Sequence, residues 1–224
     1  MNVVITGTSS GIGAALVACF ESDPHVKKIF ACSSSVEKAE LQGKIIHVPL
    51  DFTSGGFSDE LLKVLAGEPV NILINNAGYL KVSSFHAMRQ SDLRKIFQVN
   101  FEGPFQLIQA LIPFLTKGKA HVVNIGSMGG FQGSGKFAGL SGYSASKAAL
   151  ANLTECLAEE FRSEGIRCNC LALGAVQTQM LREAFPNYQA EISAHDMAAF
   201  IKNFAISSGN LFNGKIIPVS SSTP

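Results

Sequence analysis

The sequence predicts an α/β fold: a doubly wound parallel sheet of seven strands with helices on both faces, three layers in all. Three observations predict it. Short apolar runs alternate with helix-length patterns from end to end of the chain. The runs are almost continuously apolar, as strands buried on both faces are. The first run, 2–6, feeds directly into a glycine turn that opens a helix. A length of 224 residues with 46% hydrophobic content suits one domain, 1–224, with a substantial core.

The elements follow in order. The strand at 2–6 leads into Gly7-Thr8-Ser9-Ser10-Gly11-Ile12-Gly13 and then a helix over 12–21. Gly7 allows a tight turn, Gly11 removes a side chain where backbone N–H groups must approach a phosphate, and Gly13 lets the helix pack close to the strand. The positive end of that helix then faces the phosphates. A second strand, 28–33, ends at Cys32-Ser33-Ser34-Ser35, and a third, 44–49, is followed by Leu50-Asp51-Phe52. A helix is predicted over 57–66, and a strand over 71–75 runs into Asn75-Asn76-Ala77-Gly78. One long helix, 91–116, precedes the strand at 120–125, which ends near Ser127. A helix over 143–163, a strand over 166–172, a helix over 195–206 and a strand over 215–219 complete the pattern. Right-handed crossovers give the strand order 3-2-1-4-5-6-7.

Two segments break the rhythm. Residues 126–142 contain seven glycines, and 179–193 mix polar and aromatic residues. Both follow predicted strands, and loops at the carboxyl ends of strands form the ligand crevice in such sheets.

The chemistry centres on Tyr143-Ser144-Ala145-Ser146-Lys147. At a helix start, positions i and i+4 share a face, so the phenol and the ammonium are neighbours. A free tyrosine titrates near ~10, and an adjacent cation is expected to lower that value. The pair is therefore a candidate acid/base for interconverting a hydroxyl and a carbonyl.

Together, Thr6-Gly7-x-x-x-Gly11-Ile12-Gly13, Asn75-Asn76-Ala77-Gly78, Asn100 after Val99, Ser127, and Tyr143-x-x-x-Lys147 resemble the short-chain dehydrogenase/reductase family, in its order. Gly165-Ile166-Arg167-Cys168-Asn169 and Gly174-Ala175-Val176-Gln177-Thr178 are similar to later motifs of the family, so the resemblance covers nearly the whole chain. It implies a Rossmann fold and hydride transfer between a nicotinamide and a small-molecule carbonyl or alcohol. It implies Tyr143 as proton donor or acceptor, Lys147 as the group that depresses its pKa and binds the nicotinamide ribose, Ser127 as orienter of the substrate oxygen, and Asn100 as holder of a proton-relay water. It also implies a cofactor lined by Gly7, Ser9, Ser10, Gly11, Ile12, Gly13, Ser33, Ser34, Asp51, Phe52, Asn75, Asn76, Ala77, Gly78, Tyr143, Lys147, Gly174, Val176 and Thr178.

Ser134 and Ser141 rival Ser127, because the chain between Ser127 and Tyr143 is a few residues longer than the family's usual spacing. Ser127 is preferred for its place at a strand end, where a rigid element fixes the side chain. The second strand ends without a carboxylate, which favours NADP(H), with NAD(H) possible. The family's proline before Gly174 is Leu173, and its Asp-Gly-Gly after the last strand is Ser220-Ser221-Ser222. The 179–193 segment corresponds to the family's substrate lid. It is short, with Met180, Leu181, Phe185 and Tyr188 facing an open pocket.

Other classes fit less well. A net charge of +1 gives no electrostatic case for nucleic acid or an acidic membrane. No apolar run reaches membrane-spanning length, and nothing before the first strand reads as a targeting peptide. Five scattered cysteines point to reduced thiols in the cytoplasm, and the five histidines show no metal-ligand spacing, so no metal is expected. The apolar helices 91–116 and 143–163 predict a homodimer or homotetramer. A 3-oxoacyl thioester reductase and a catalytically silent cofactor-binding sensor or scaffold are the alternative functions.

Overall fold

The computed structural model describes residues 1–220; Ser221 and Ser222 of the terminal serine run lie outside the described residues. The sheet holds β1 (Asn2–Thr6), β2 (Lys28–Ser33), β3 (Glu40–Gln42), β4 (Ile45–Pro49), β5 (Ile72–Asn75), β6 (His121–Ser127), β7 (Arg167–Leu173) and β8 (Lys215–Val219). Their order is β3-β4-β2-β1-β5-β6-β7-β8. Without β3 this is the predicted seven-strand order, and those seven pair in parallel.

The eighth strand corrects the expectation of seven. β3 folds back antiparallel on β4, pairing Gln42 with Ile45 across a two-residue turn. Gly43 takes φ +60° there, which a glycine adopts without a Cβ clash. All three β3 residues are exposed, so the strand carries no buried apolar pattern to reveal it.

The helices are α1 (Gly11–Glu21), α2 (Asp59–Leu65), α3 (Gln90–Phe97), α4 (Gly103–Gly118), α5 (Ser141–Glu160), α6 (Gln179–Ala184) and α7 (Ala194–Ser207). Alternate strand residues feed two cores. Val4, Leu73 and Val122 pack with Leu61 of α2, Leu111 of α4 and Leu150 of α5. Val3, Ile74 and Val123 pack on the other face with Leu16 of α1 and Ile201 of α7. This is the period-2 division of side chains in a sheet covered on both faces.

The predicted helix 91–116 is not one α-helix. A π-helical turn, Gln98–Glu102, separates α3 from α4, with the fully buried Asn100 at its centre. Such turns place an extra residue in the helix and often mark functional sites.

Candidate active site

Loops at the carboxyl ends of the strands surround a cleft of about 480 Å³, within the ordinary range for a small-molecule site. One end is the turn between β1 and α1. Gly7 and Gly11 take φ +72° and +56°. A Cβ on Gly7 would lie 2.7 Å from the Cα of Ala77, and one on Gly13 would collide with the Gly7 carbonyl. These glycines let the turn, the helix and the 75–78 segment close on one another. Ser10 makes no side-chain cap on α1, and the first turn of α1 carries no acid. Its N-terminal N–H groups and dipole are thus free for an anion. The residues fit a dinucleotide's pyrophosphate.

Thr6 ties that turn to the next loop. Its hydroxyl accepts from the backbone N–H groups of Asn76 and Ala77, both at 3.1 Å. The Asn76 amide donates to the carbonyls of Thr6 (3.0 Å) and Gly7 (3.1 Å). Ser33 and Ser34, Asp51 and Phe52 line the cleft beyond. The Asp51 carboxylate accepts from the backbone N–H and hydroxyl of Thr53, at 2.8 and 2.7 Å.

The other end gathers Ser127, Tyr143 and Lys147. β6 ends at Ser127, and α5 carries Tyr143 and Lys147 one turn apart. Ser127 faces the same end of the cleft as Tyr143, and its hydroxyl accepts from the Gly129 N–H at 3.1 Å. Lys147 is buried, and its ammonium donates to the Ile125 carbonyl at 2.8 Å. It lies 6.0 Å from the centre of the Tyr143 ring.

The electrostatics differ from the expectation that Lys147 depresses the Tyr143 pKa. Burial raises the Tyr143 pKa, with the Ser127 side chain pulling against it. Burial lowers Lys147 to about 8, opposed by the Cys170 thiol. Desolvation dominates both groups because they share the same dehydrated pocket. Cys170 and Cys168, two apart on β7, share the α5 face of the sheet. The thiols of both are pushed up to about 12 by burial.

Nearly all the predicted site residues line this cleft: Ser9, Ser10, Ile12, Gly78, Gly174, Val176 and Thr178 join those above. Asn75 and Asn100 do not. Asn75 is buried behind the cleft and donates to the Asn124 side chain at 2.8 Å. Asn124 donates in turn to Thr154 of α5 at 2.9 Å, so the three strap β5, β6 and α5 together. Asn100 accepts from the Tyr79 N–H (2.7 Å) and donates to the Tyr79 carbonyl and the Ser146 hydroxyl, both at 2.9 Å. A Cβ on Gly78 would lie 3.6 Å from both the Asn100 carbonyl oxygen and the Lys147 nitrogen. Asn100 therefore shapes the floor beside Lys147.

The rival serines sit elsewhere. Ser134 donates to the Phe131 carbonyl at 2.8 Å and to that of Met128, as a turn former does. Ser141 is exposed at the start of α5. The 179–193 segment contains α6, capped by Thr178, whose hydroxyl accepts from the Leu181 N–H at 3.3 Å. Met180, Leu181 and Phe185 line the cleft as expected; Tyr188 is not among the lining residues. Sequence reasoning missed Leu80, Lys95, Met128, Phe137 and Leu140, which also line it. They belong to no motif, and only the three-dimensional approach of their loops reveals them.

A model of the family described as short chain dehydrogenase matches residues 1–189. The chain belongs to that family. It is a nicotinamide-dependent oxidoreductase of the short chain dehydrogenase family. It is 29% identical to the rhamnolipids biosynthesis 3-oxoacyl-[acyl-carrier-protein] reductase of Pseudomonas aeruginosa, over 96% of this dehydrogenase and 93% of that protein. The Pseudomonas aeruginosa RhlG/NADP active-site complex superposes with a TM-score of 0.82 at 26% identity, covering 99% and 95% of the two chains. A 4-hydroxyisoleucine dehydrogenase complexed with NADH has the same fold, with a TM-score of 0.83 at 22% identity over 99% and 97%.

Proposed function

We propose that residues 1–224 form one nicotinamide-binding domain with a short lid at 179–193. It carries out reversible reduction of a carbonyl on a small to medium apolar substrate. The observation that carries this reading is the meeting of Ser127, Tyr143 and Lys147 at one end of a cleft whose other end is the glycine turn. Bound between them, a nicotinamide would give or take the hydride.

The chain's own residues do the rest. Tyr143, kept protonated by burial, donates its phenolic proton to the substrate oxygen in reduction and accepts it in oxidation. Ser127 holds that oxygen as a preplaced donor. Lys147 is the cation behind Tyr143 and the donor to the nicotinamide ribose. Asn100 fixes the backbone of Tyr79 and the floor beside Lys147.

NADP(H) is favoured over NAD(H). No carboxylate stands within Cys32-Ser33-Ser34-Ser35 at the end of β2, and the exposed Ser34 and buried Ser33 line that end of the cleft. The two similar structures were solved with NADP and with NADH. A homodimer or homotetramer through α4 and α5 is supported by the exposed Phe105 on α4. The free cysteines, four of them buried, suit a reducing cytoplasm. Among the described residues no helix is long and apolar enough to cross a membrane.

A second reading is a 3-oxoacyl thioester reductase. It is favoured by the likeness to the 3-oxoacyl-[acyl-carrier-protein] reductase of Pseudomonas aeruginosa. The test follows the absorbance of NADPH and NADH with neutral aldehydes and ketones and with a 3-oxoacyl thioester. Oxidation of reduced cofactor by a ketone supports the first reading, and by the thioester alone the second. Cofactor binding with no turnover of any of them would leave a silent sensor.

A further inference from the structure

The glycine-rich segment between Ser127 and Tyr143 and the lid after Thr178 meet through two aromatic rings. Phe137 and Phe185 lie edge to face, with centroids 5.5 Å apart and planes at 73°. That is the preferred geometry of an aromatic pair. Both rings are half-buried and both line the cleft. The segment carrying Phe137 is anchored at its ends by the two residues proposed to hold the substrate oxygen, so the pair roofs that end of the cleft.

The Phe137 loop is built rather than slack. The Lys136 ammonium donates to the Phe131 carbonyl at 2.7 Å and to the Ser134 hydroxyl at 2.9 Å. The Gly139 carbonyl accepts from the Ser83 N–H at 3.0 Å. Gly133 and Gly139 take φ +79° and +85°, which provides the bends that return the loop over the cleft.

The residues of 128–140 and 179–185 that line the cleft are uncharged, and Lys136, Arg182 and Glu183 of these segments are not among the lining residues. The charged residues lining the cleft are Asp51, Lys95 and Lys147, and none belongs to 128–140 or 179–185. A charged substrate group placed there would be desolvated without a partner.

We infer that Phe137 and Phe185 are a specificity clamp: a neutral ketone or secondary alcohol packs its apolar group against both rings, and the loop between Ser127 and Tyr143 delivers one of them. This rests on the hydride-transfer reading, and a separate measurement tests the contact itself.

The kinetic arm compares a medium-chain methyl ketone, acetone and a medium-chain 2-oxo acid in the wild type, Phe137→Ala, Phe185→Ala, the double variant and Phe137→Leu. Loss of an apolar pocket contact costs about 10-fold or more in kcat/KM, so each alanine variant should lose that for the medium-chain ketone, chiefly through KM. Acetone, which does not reach the rings, should change by less than about 3-fold on the same scale. Phe137→Leu should recover much of the loss. The double variant should lose less than the product of the single losses, because the rings touch. Equal losses for both ketones, or a preference for the oxo acid over the neutral ketone, overturns the clamp.

The second arm follows amide hydrogen exchange over 179–185 in the protein without substrate. Phe137→Ala should accelerate it and Phe137→Leu should not. Unchanged exchange in Phe137→Ala overturns the contact, whatever the kinetics. If the wild type turns over no ketone while exchange responds as stated, the hydride-transfer reading fails and the aromatic contact stands.

Discussion

The Lys147 ammonium donates to the Ile125 carbonyl at 2.8 Å, which ties the helix bearing Tyr143 to the strand bearing Ser127. The bond satisfies one of the three donors of a buried cation. It does not offset the cost of burying the charge, since the Lys147 pKa still falls to about 8.

That cost has a sign that can be measured. An unfolded lysine titrates near ~10.4. Between about 8 and that value the unfolded chain holds more protons than the folded one, so this group makes stability rise with pH. Below about 8 the penalty is present in full. Relative to Lys147→Met, the wild type without cofactor should therefore gain melting temperature as pH climbs through this window. Losing the Ile125 contact shifts the variant by a constant and leaves the slope intact. A flat or falling difference would show that the buried ammonium is not penalised.

Tyr143→Phe should lower turnover at least ~100-fold while cofactor affinity barely changes, because only the hydroxyl takes part in proton transfer. Burial raises the Tyr143 pKa, so the phenol is the dominant form at neutral pH and reduction should run well there. Oxidation needs the phenolate, and its rate should climb as pH rises. Near-normal turnover in Tyr143→Phe would remove Tyr143 from the mechanism.

Much of this site is legible in the sequence, and the parts that are not share one property. Gly7 and Gly11 answer to the left-handed backbone of the turn, Gly13 to the Gly7 carbonyl, and Tyr143 and Lys147 to helix periodicity, all local rules. The π turn at Asn100 is invisible because residues 91–116 keep a helical pattern on both sides of it. What opens the turn is a tertiary partner, the Tyr79 backbone, which Asn100 bonds twice. The Tyr143 pKa went the other way from the sequence argument because burial depends on the whole pocket, whereas spacing reports only a neighbour. Phe137 has no signal until its loop is seen beside Phe185.

Ser127→Ala should impair turnover far more than Ser134→Ala or Ser141→Ala. Ser127 alone of the three lines the cleft with Tyr143 and acts to lower the pKa of its phenol. Removing one preplaced oxyanion donor costs on the order of 10²-fold in kcat. Ser134→Ala should act on the loop instead, freeing the Lys136 ammonium from one partner, with its effect confined to KM for bulky substrates. Equal kcat losses at Ser127 and Ser134 would move the role into the glycine-rich loop.

Cofactor preference turns on the end of β2. Cys32 is fully buried in the core and Ser33 nearly so, while Ser34 is exposed and lines the cleft. Ser33 is already engaged with the Ser35 hydroxyl at 2.8 Å, which leaves Ser34 as the freer donor to a 2′-phosphate. A neutral hydroxyl without a cation gives a modest bond, since charge-assisted bonds are the strong ones. NADPH should bind more tightly than NADH by about 1–2 kcal/mol, the worth of one or two such bonds. Ser34→Asp should reverse the order by repelling the phosphate and accepting from the ribose diol. Asp at Cys32 would bury a carboxylate in the core and unfold the strand before it could test anything. Fluorescence titration of both reduced cofactors into the wild type and Ser34→Asp decides the matter. Tighter NADH binding in the wild type would show that the missing carboxylate does not set the preference.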